Sequence, residues 1–147
     1  MTTGVGEAGR PATATVLFTD LVGSTALRQA VGDDAADELR RSHDRVLRDA
    51  VAAHGGHEVK GTGDGLMIVF DSAVEAVAAA EAMQRGVERL TRRAPAPVSI
   101  RVGLSAGDVV WEGDDCFGTP VVEARRLCDS AEGAQILVGD VVRVLAG

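Results

Sequence analysis

The chain has 147 residues, 46% hydrophobic and 25% charged, which suits one globular domain with its own core and excludes intrinsic disorder. A formal net charge of -7 repels a phosphate backbone, and two cysteines, Cys116 and Cys128, are too few for a disulfide framework. No apolar run approaches a membrane span and the N-terminus lacks the charged-then-apolar order of a signal peptide, so we expect no nucleic acid, no membrane and a cytoplasmic location.

In chain order, residues 1–12 carry Gly, Thr, Ala and Pro without periodicity and read as a flexible leader, with the domain spanning 13–147. Ala14 to Asp20 is a short apolar run ending in a carboxylate, expected as a buried strand. Ser24 and Thr25 are placed to cap a helix running to about Ala30. A longer helix opens at Asp33 and Asp34. Ala36, Leu39, Val46, Leu47, Ala50 and Val51 form its inner face, Arg40, Arg41, Arg45 and Arg48 its outer one, and Gly55 and Gly56 stop it.

Two strand-like runs, 57–60 and 66–70, flank Gly61-Thr62-Gly63-Asp64-Gly65, and an Asp-Gly turn between apolar runs predicts a hairpin. An Ala-rich helix follows from Ser72 to about Arg92. Val98 to Trp111 reads as one long strand, bent at Gly103 or Gly107, and residues 113–115 as a loop. Val121 to Ala131 predicts a further helix, Ala134 to Val138 a last strand, and Asp140 to Leu145 a short helix. The order β-α-α-β-β-α-β-α-β-α predicts an α/β (α+β) fold. We expect a ferredoxin-like split βαβ sandwich, with helices on one face of a mixed, mostly antiparallel sheet.

Two carboxylates stand where strands meet turns, Asp20 and Asp64. If the first strand lies beside the hairpin, both reach one edge of the sheet. Paired carboxylates without histidine suit hard divalent cations that keep waters and bind phosphates. Gly23-Ser24-Thr25 leads into a helix N-terminus, whose free N–H groups favour phosphate. Taken singly, Asp64 reads equally as a turn residue and Asp20 as a strand terminator.

Phe18-Thr19-Asp20-Leu21-Val22-Gly23-Ser24-Thr25, Lys60-Gly61-Thr62-Gly63-Asp64-Gly65, Asp115-Cys116-Phe117-Gly118 and Glu123-Ala124-Arg125-Arg126-Leu127 stand in this order and spacing. As a set they resemble the class III nucleotide cyclase catalytic domain, from about residue 13 to the end of the chain. The resemblance implies an adenylate cyclase making 3′,5′-cyclic AMP and pyrophosphate from ATP. It further implies two divalent cations, Mg2+ or Mn2+, on Asp20, Asp64 and the Leu21 carbonyl. One would help to ionise the ribose 3′-hydroxyl and the other would hold the triphosphate, with Gly23, Ser24 and Thr25 on phosphate oxygens.

Lys60, the one lysine of the chain, and Asp115 match the family's base-reading pair. A lysine donates to adenine N1 and an aspartate accepts from its 6-amino group, whereas guanine presents the opposite pattern, so ATP is expected over GTP. Arg126 matches the arginine that stabilises transition-state charge, although the adjacent Arg125 leaves the register open by one. The family's sites lie between two chains arranged head to tail, with Asp20 and Asp64 from one and Lys60, Asp115 and Arg126 from the other.

Three positions depart from the pattern. Val122 stands where many members carry a ribose-orienting asparagine, leaving Thr119 as a nearby polar substitute. Asp108 stands where some carry an arginine on the triphosphate. Family domains usually continue past Gly147 through another strand pair, so a trimmed or short variant with reduced activity is expected. The competing readings are a guanylate cyclase and a weakly active or non-catalytic nucleotide-binding or dimerisation module. His54 and His57 read as helix end and turn rather than a metal pair, and Trp111 and Phe117 as base-pocket walls or core.

Overall fold

The structure is a computed structural model that describes residues 10–147. The elements are β1 (Thr13–Val22), α1 (Ser24–Val31), α2 (Asp33–Ala53), β2 (His57–Gly61), β3 (Leu66–Phe70), α3 (Ala73–Thr91), β4 (Ser99–Asp108), β5 (Val110–Glu112), β6 (Asp115–Phe117), α4 (Thr119–Ser130), β7 (Ile136–Val138) and α5 (Asp140–Ala146). Five strands form one sheet in the order β2-β3-β1-β4-β7. β1 runs antiparallel to both β3 and β4, and β7 joins β4 in parallel. This is the expected split βαβ arrangement, with β3 between β1 and β2, and β1 between β3 and β4.

Helices cover both faces of the sheet, not one. Leu17, Leu21, Ile68, Phe70, Ile100 and Leu104 pack against Leu47, Ala76, Ala80 and Met83 of α2 and α3. The alternate residues Ala14, Val16, Phe18, Met67 and Val69 pack against Ala124 and Cys128 of α4 and Trp111 and Cys116 beyond β4. The signal lay in β1 and β3 themselves, whose apolar residues run without polar alternation, the pattern of strands buried on both sides. Each fully buried Leu, Ile or Phe contributes about 1.5–3 kcal/mol.

The long strand expected from Val98 to Trp111 is divided. β4 ends at Asp108, and the Val109 N–H leaves the sheet to donate to the Ala12 carbonyl at 2.8 Å. The residues beyond it fold into a separate β5–β6 hairpin, so Asp115 begins a strand instead of closing a loop. Residues 1–9 of the expected leader lie outside the described residues. Arg10, Pro11 and Ala12 are fastened to this hairpin. The Pro11 carbonyl accepts from Trp111 Nε1 at 2.8 Å, and Arg10 stacks over the Trp111 ring at 4.8 Å and pairs with Asp114 at 2.7 Å. Among the described residues no helix is long and apolar enough to cross a membrane.

Candidate active site

Asp20 lies near the end of β1, and Asp64 at the tip of the β2–β3 hairpin. The Leu21 N–H donates to the Asp64 carbonyl at 3.0 Å, which ties the tip to the strand. Above it, the Leu66 N–H donates to the buried Thr19 hydroxyl at 3.0 Å. A Cβ at Gly65 would lie 1.7 Å from the Thr19 carbonyl oxygen, so only glycine allows the tip so close to Asp20. The adjacency that the sequence left conditional is therefore built by backbone contacts.

Each carboxylate is met by an arginine. Arg101 on β4, directly across from Asp20, donates to Asp20 Oδ2 from Nη2 at 2.7 Å and from Nε at 3.0 Å. This pairing raises the Arg101 pKa. Arg40 on α2 donates to Asp64 Oδ1 at 2.6 Å and also to the Gly63 carbonyl. Arg40 thus leaves the outward face to which its charge assigned it. It falls on the stripe of Ala36, His43, Leu47 and Ala50, one helical turn from each neighbour, and that spacing was the available signal.

The α1 terminus also differs from expectation. Its N-cap is Gly23, at φ 94°, where a Cβ would meet the Pro97 carbonyl oxygen at 2.5 Å, and no side chain caps the helix. The Ser24 hydroxyl donates instead to Asp64 Oδ2 at 3.3 Å. The first N–H groups of α1 are left uncapped beside two carboxylates, an arrangement open to phosphate oxygens. A cleft of about 440 Å³ opens here between α1, α2 and the hairpin tip, with Leu21, Ser24, Thr25, Arg40, His43 and Asp64 in its wall. His43 is buried and burial pushes its pKa down. Its Nδ1 lies 2.9 Å from the Asp44 carboxylate, and its Nε2 has no partner among the described residues.

Lys60 Nζ donates to Asp115 Oδ2 at 2.9 Å. The Lys60 ammonium, and behind it the Cys116 N–H, hold the Asp115 carboxyl below its ordinary range. The two residues are 55 positions apart, and a bulge brings them together. β2 shifts register between Glu58 and Lys60, so Glu58 lies opposite Ile68 and Lys60 opposite Met67. Glu58 therefore turns toward α2, where it pairs with Arg48 at 2.8 Å, and Lys60 toward the β5–β6 hairpin.

On α4, Arg125 is committed within the chain, to Asp129 at 3.4 Å and over the Phe18 ring at 5.7 Å. Arg126 is exposed and carries no ion pair among the described residues; it lies with Glu123 and Leu127 beside an open groove facing α5. Thr119, the first residue of α4, and Val122 are exposed on the same helix. Asp108 accepts from the Thr13 hydroxyl at 3.1 Å. No hydrogen bond or ion pair among the described residues joins the Lys60–Asp115 pair to Asp20 or Asp64.

The remaining candidates have structural partners. His54 Nδ1 lies 2.8 Å from Glu75, and His57 meets the Trp111 ring edge-on at 6.2 Å, so the two do not converge. Trp111 is core, whereas Phe117 is exposed. Cys116 and Cys128 are free, buried thiols, and burial pushes Cys128 up to about 11. Among the described residues no group of three or more His, Cys, Asp or Glu could hold a metal. The donors at hand are two carboxylates and backbone carbonyls, which fit a hard cation that completes its shell with water and substrate phosphate.

This fold is that of a nucleotide cyclase catalytic domain. The profile of the adenylate and guanylate cyclase catalytic domain matches residues 7–146, and the chain belongs to that family. It is similar to the adenylate cyclase of Streptomyces coelicolor, 36% identical over 121 residues that cover 82% of this chain and 31% of that protein. The chain spans less than half the length of the curated relatives compared with it. The adenylyl cyclase CyaB from P. aeruginosa superimposes with a TM-score of 0.82 at 24% identity, over 90% of this chain and 79% of that one. An adenylate/guanylate cyclase/hydrolase from Silicibacter pomeroyi superimposes at 0.78 with 30% identity, over 90% of this chain and 78% of that one.

Proposed function

We propose that the chain is an adenylate cyclase domain that converts ATP to 3′,5′-cyclic AMP and pyrophosphate at sites shared by two head-to-tail copies. The observation that carries this reading is the Lys60–Asp115 pair at 2.9 Å, one cationic donor beside one anionic acceptor. Adenine offers the complementary pattern, an N1 acceptor and a 6-amino donor. Guanine would set its N1–H against the ammonium and its O6 against the carboxylate, and such mismatches of polar groups are discriminated strongly.

Asp20, Asp64 and the Leu21 carbonyl would hold divalent cations, Mg2+ or Mn2+, which supply positive charge for the triphosphate and acidify the ribose 3′-hydroxyl. The uncapped N–H groups of Gly23, Ser24 and Thr25 orient phosphate oxygens. The 3′-oxygen attacks the α-phosphorus as the bond to the bridging oxygen breaks. Pyrophosphate leaves, and the hydroxyl proton passes to solvent. Arg126, without an ion pair among the described residues, meets the charge that develops on the α-phosphoryl oxygens. With Val122 apolar, Thr119 is a nearby polar group on that helix that would touch the ribose in its place. That no hydrogen bond or ion pair among the described residues joins the Lys60–Asp115 pair to Asp20 or Asp64 fits a site completed by a second copy.

The test is cyclic nucleotide production by the purified chain, with ATP or GTP and Mg2+ or Mn2+, beside Asp20→Ala. Cyclic AMP from the wild type that disappears in the variant supports the reading. Cyclic GMP in excess would reverse the base assignment. Bound nucleotide without any product would leave a binding module.

A further inference from the structure

The two carboxylates read as cation ligands are each already engaged by a guanidinium, and both arginines are built alike. Arg101 grips Asp20 with two donors and, from Nη1, donates to the Asp129 carbonyl at 2.9 Å. Arg40 grips Asp64 at 2.6 Å and donates to the Gly63 carbonyl. Each side chain thus holds one carboxylate and one backbone carbonyl. A cation and a guanidinium compete for the same carboxylate charge, yet each arginine keeps a neutral anchor that a cation does not take. Arg101 also has a second carboxylate within reach, Asp129 at 3.9 Å.

We propose that Arg40 and Arg101 are exchangeable counter-ions, each holding a metal-binding carboxylate in position and yielding it to an incoming cation. They thereby set how tightly, and in what order, the site takes its metals. The inference rests on Asp20 and Asp64 being the ligands. The Arg40–Asp64 pair is the more open, with side-chain exposures of 33% and 41% against 29% and 21% for Arg101–Asp20. Asp64 therefore exchanges first. The Gly63 contact keeps the hairpin tip against α2 while it does so, and Arg101 swings toward Asp129 when Asp20 is taken.

The experiment is Mn2+ titration of the whole chain by calorimetry, without nucleotide, for wild type, Arg40→Ala, Arg101→Gln and the double variant Asp20→Asn/Asp64→Asn. Removing a competing guanidinium at a partly exposed site tightens Mn2+ about three- to tenfold, more for Arg101→Gln than for Arg40→Ala. Binding that weakens or stays unchanged in both arginine variants overturns the proposal, because a fixed positioning role loosens the ligand and lowers affinity. Should a variant misfold, the wild type decides alone. The Arg101 Nε–H resonance must lose its protection from exchange as Mg2+ saturates the chain, and an unmoved resonance overturns the proposal. If the Asn double variant binds Mn2+ as the wild type does, Asp20 and Asp64 are not the ligands, and the proposal falls with that assignment.

Discussion

Lys60 meets Asp115 at 2.9 Å on one side of the sheet, while Glu58, only two residues earlier, meets Arg48 on the other. In a regular strand both side chains would share a face. The register shift in β2 separates them, and it turns the lysine toward the carboxylate at the start of β6.

Asp115→Ala is expected to leave Lys60 without its acceptor partner and to remove the contact to the 6-amino group. The ratio of kcat/KM for ATP over GTP should fall by about 100-fold, with the fold retained because Asp115 is on a surface hairpin. A ratio that does not move would separate this pair from base choice.

A site divided between two chains predicts complementation. Asp20→Ala and Arg126→Ala should each be inactive alone. Mixed in equal amounts, half the dimers pair unlike chains and each of these restores one of two sites, giving roughly a quarter of wild-type activity. Activity that stays absent on mixing would place both residues in one site within one chain.

Gly65→Ala introduces a Cβ 1.7 Å from the Thr19 carbonyl oxygen, so the hairpin tip must withdraw and carry Asp64 with it. A loss of about 3 kcal/mol in denaturant unfolding is expected, with activity falling further than stability explains. Gly61→Ala is the control. Its Cβ would meet nothing nearer than 3.9 Å, and a change within about 0.5 kcal/mol is expected.

His43 gives a pH signature. Its burial lowers its pKa from the ordinary 6.5, so the unfolded chain takes up that proton more readily than the folded one. Its contribution is intact above about pH 6.5 and is lost as pH falls below that value. Asp115, held below the ordinary 3.8 by Lys60, adds acid sensitivity only below about pH 4. Unfolding free energy measured from about pH 7.5 down to 5 should decline in the wild type and stay flatter in His43→Leu, whatever the absolute stability of the variant.

Apart from the β5–β6 hairpin, the element order and the split βαβ topology were legible because Gly and Pro punctuate the chain and the apolar runs of β1 and β3 are unmistakable. The candidate site residues stand in the sequence as ordered motifs, Asp20 through Thr25 and Lys60 through Gly65. What stayed hidden depends on three-dimensional closure. The β5–β6 hairpin has strands of three residues each, too short for periodicity to register. The bulge in β2 leaves no compositional mark. Ser24 has the chemistry of a cap, but a glycine in the left-handed region precedes it and Asp64 stands within reach, so the hydroxyl bonds outward. Arg101 alternates with buried neighbours on β4 like any outward strand residue, and only the pairing register sets it opposite Asp20.

The clasp between Arg10–Ala12 and the β5–β6 hairpin makes the point where the chain enters the domain and the strand that bears Asp115 one mechanical body. Pro11 and Ala12 hold Trp111 and Val109 by their carbonyls, and Asp115 stands four residues past Trp111 across a tight turn. Ala12 also runs directly into β1, so the same short segment joins the ribbon to the five-stranded sheet.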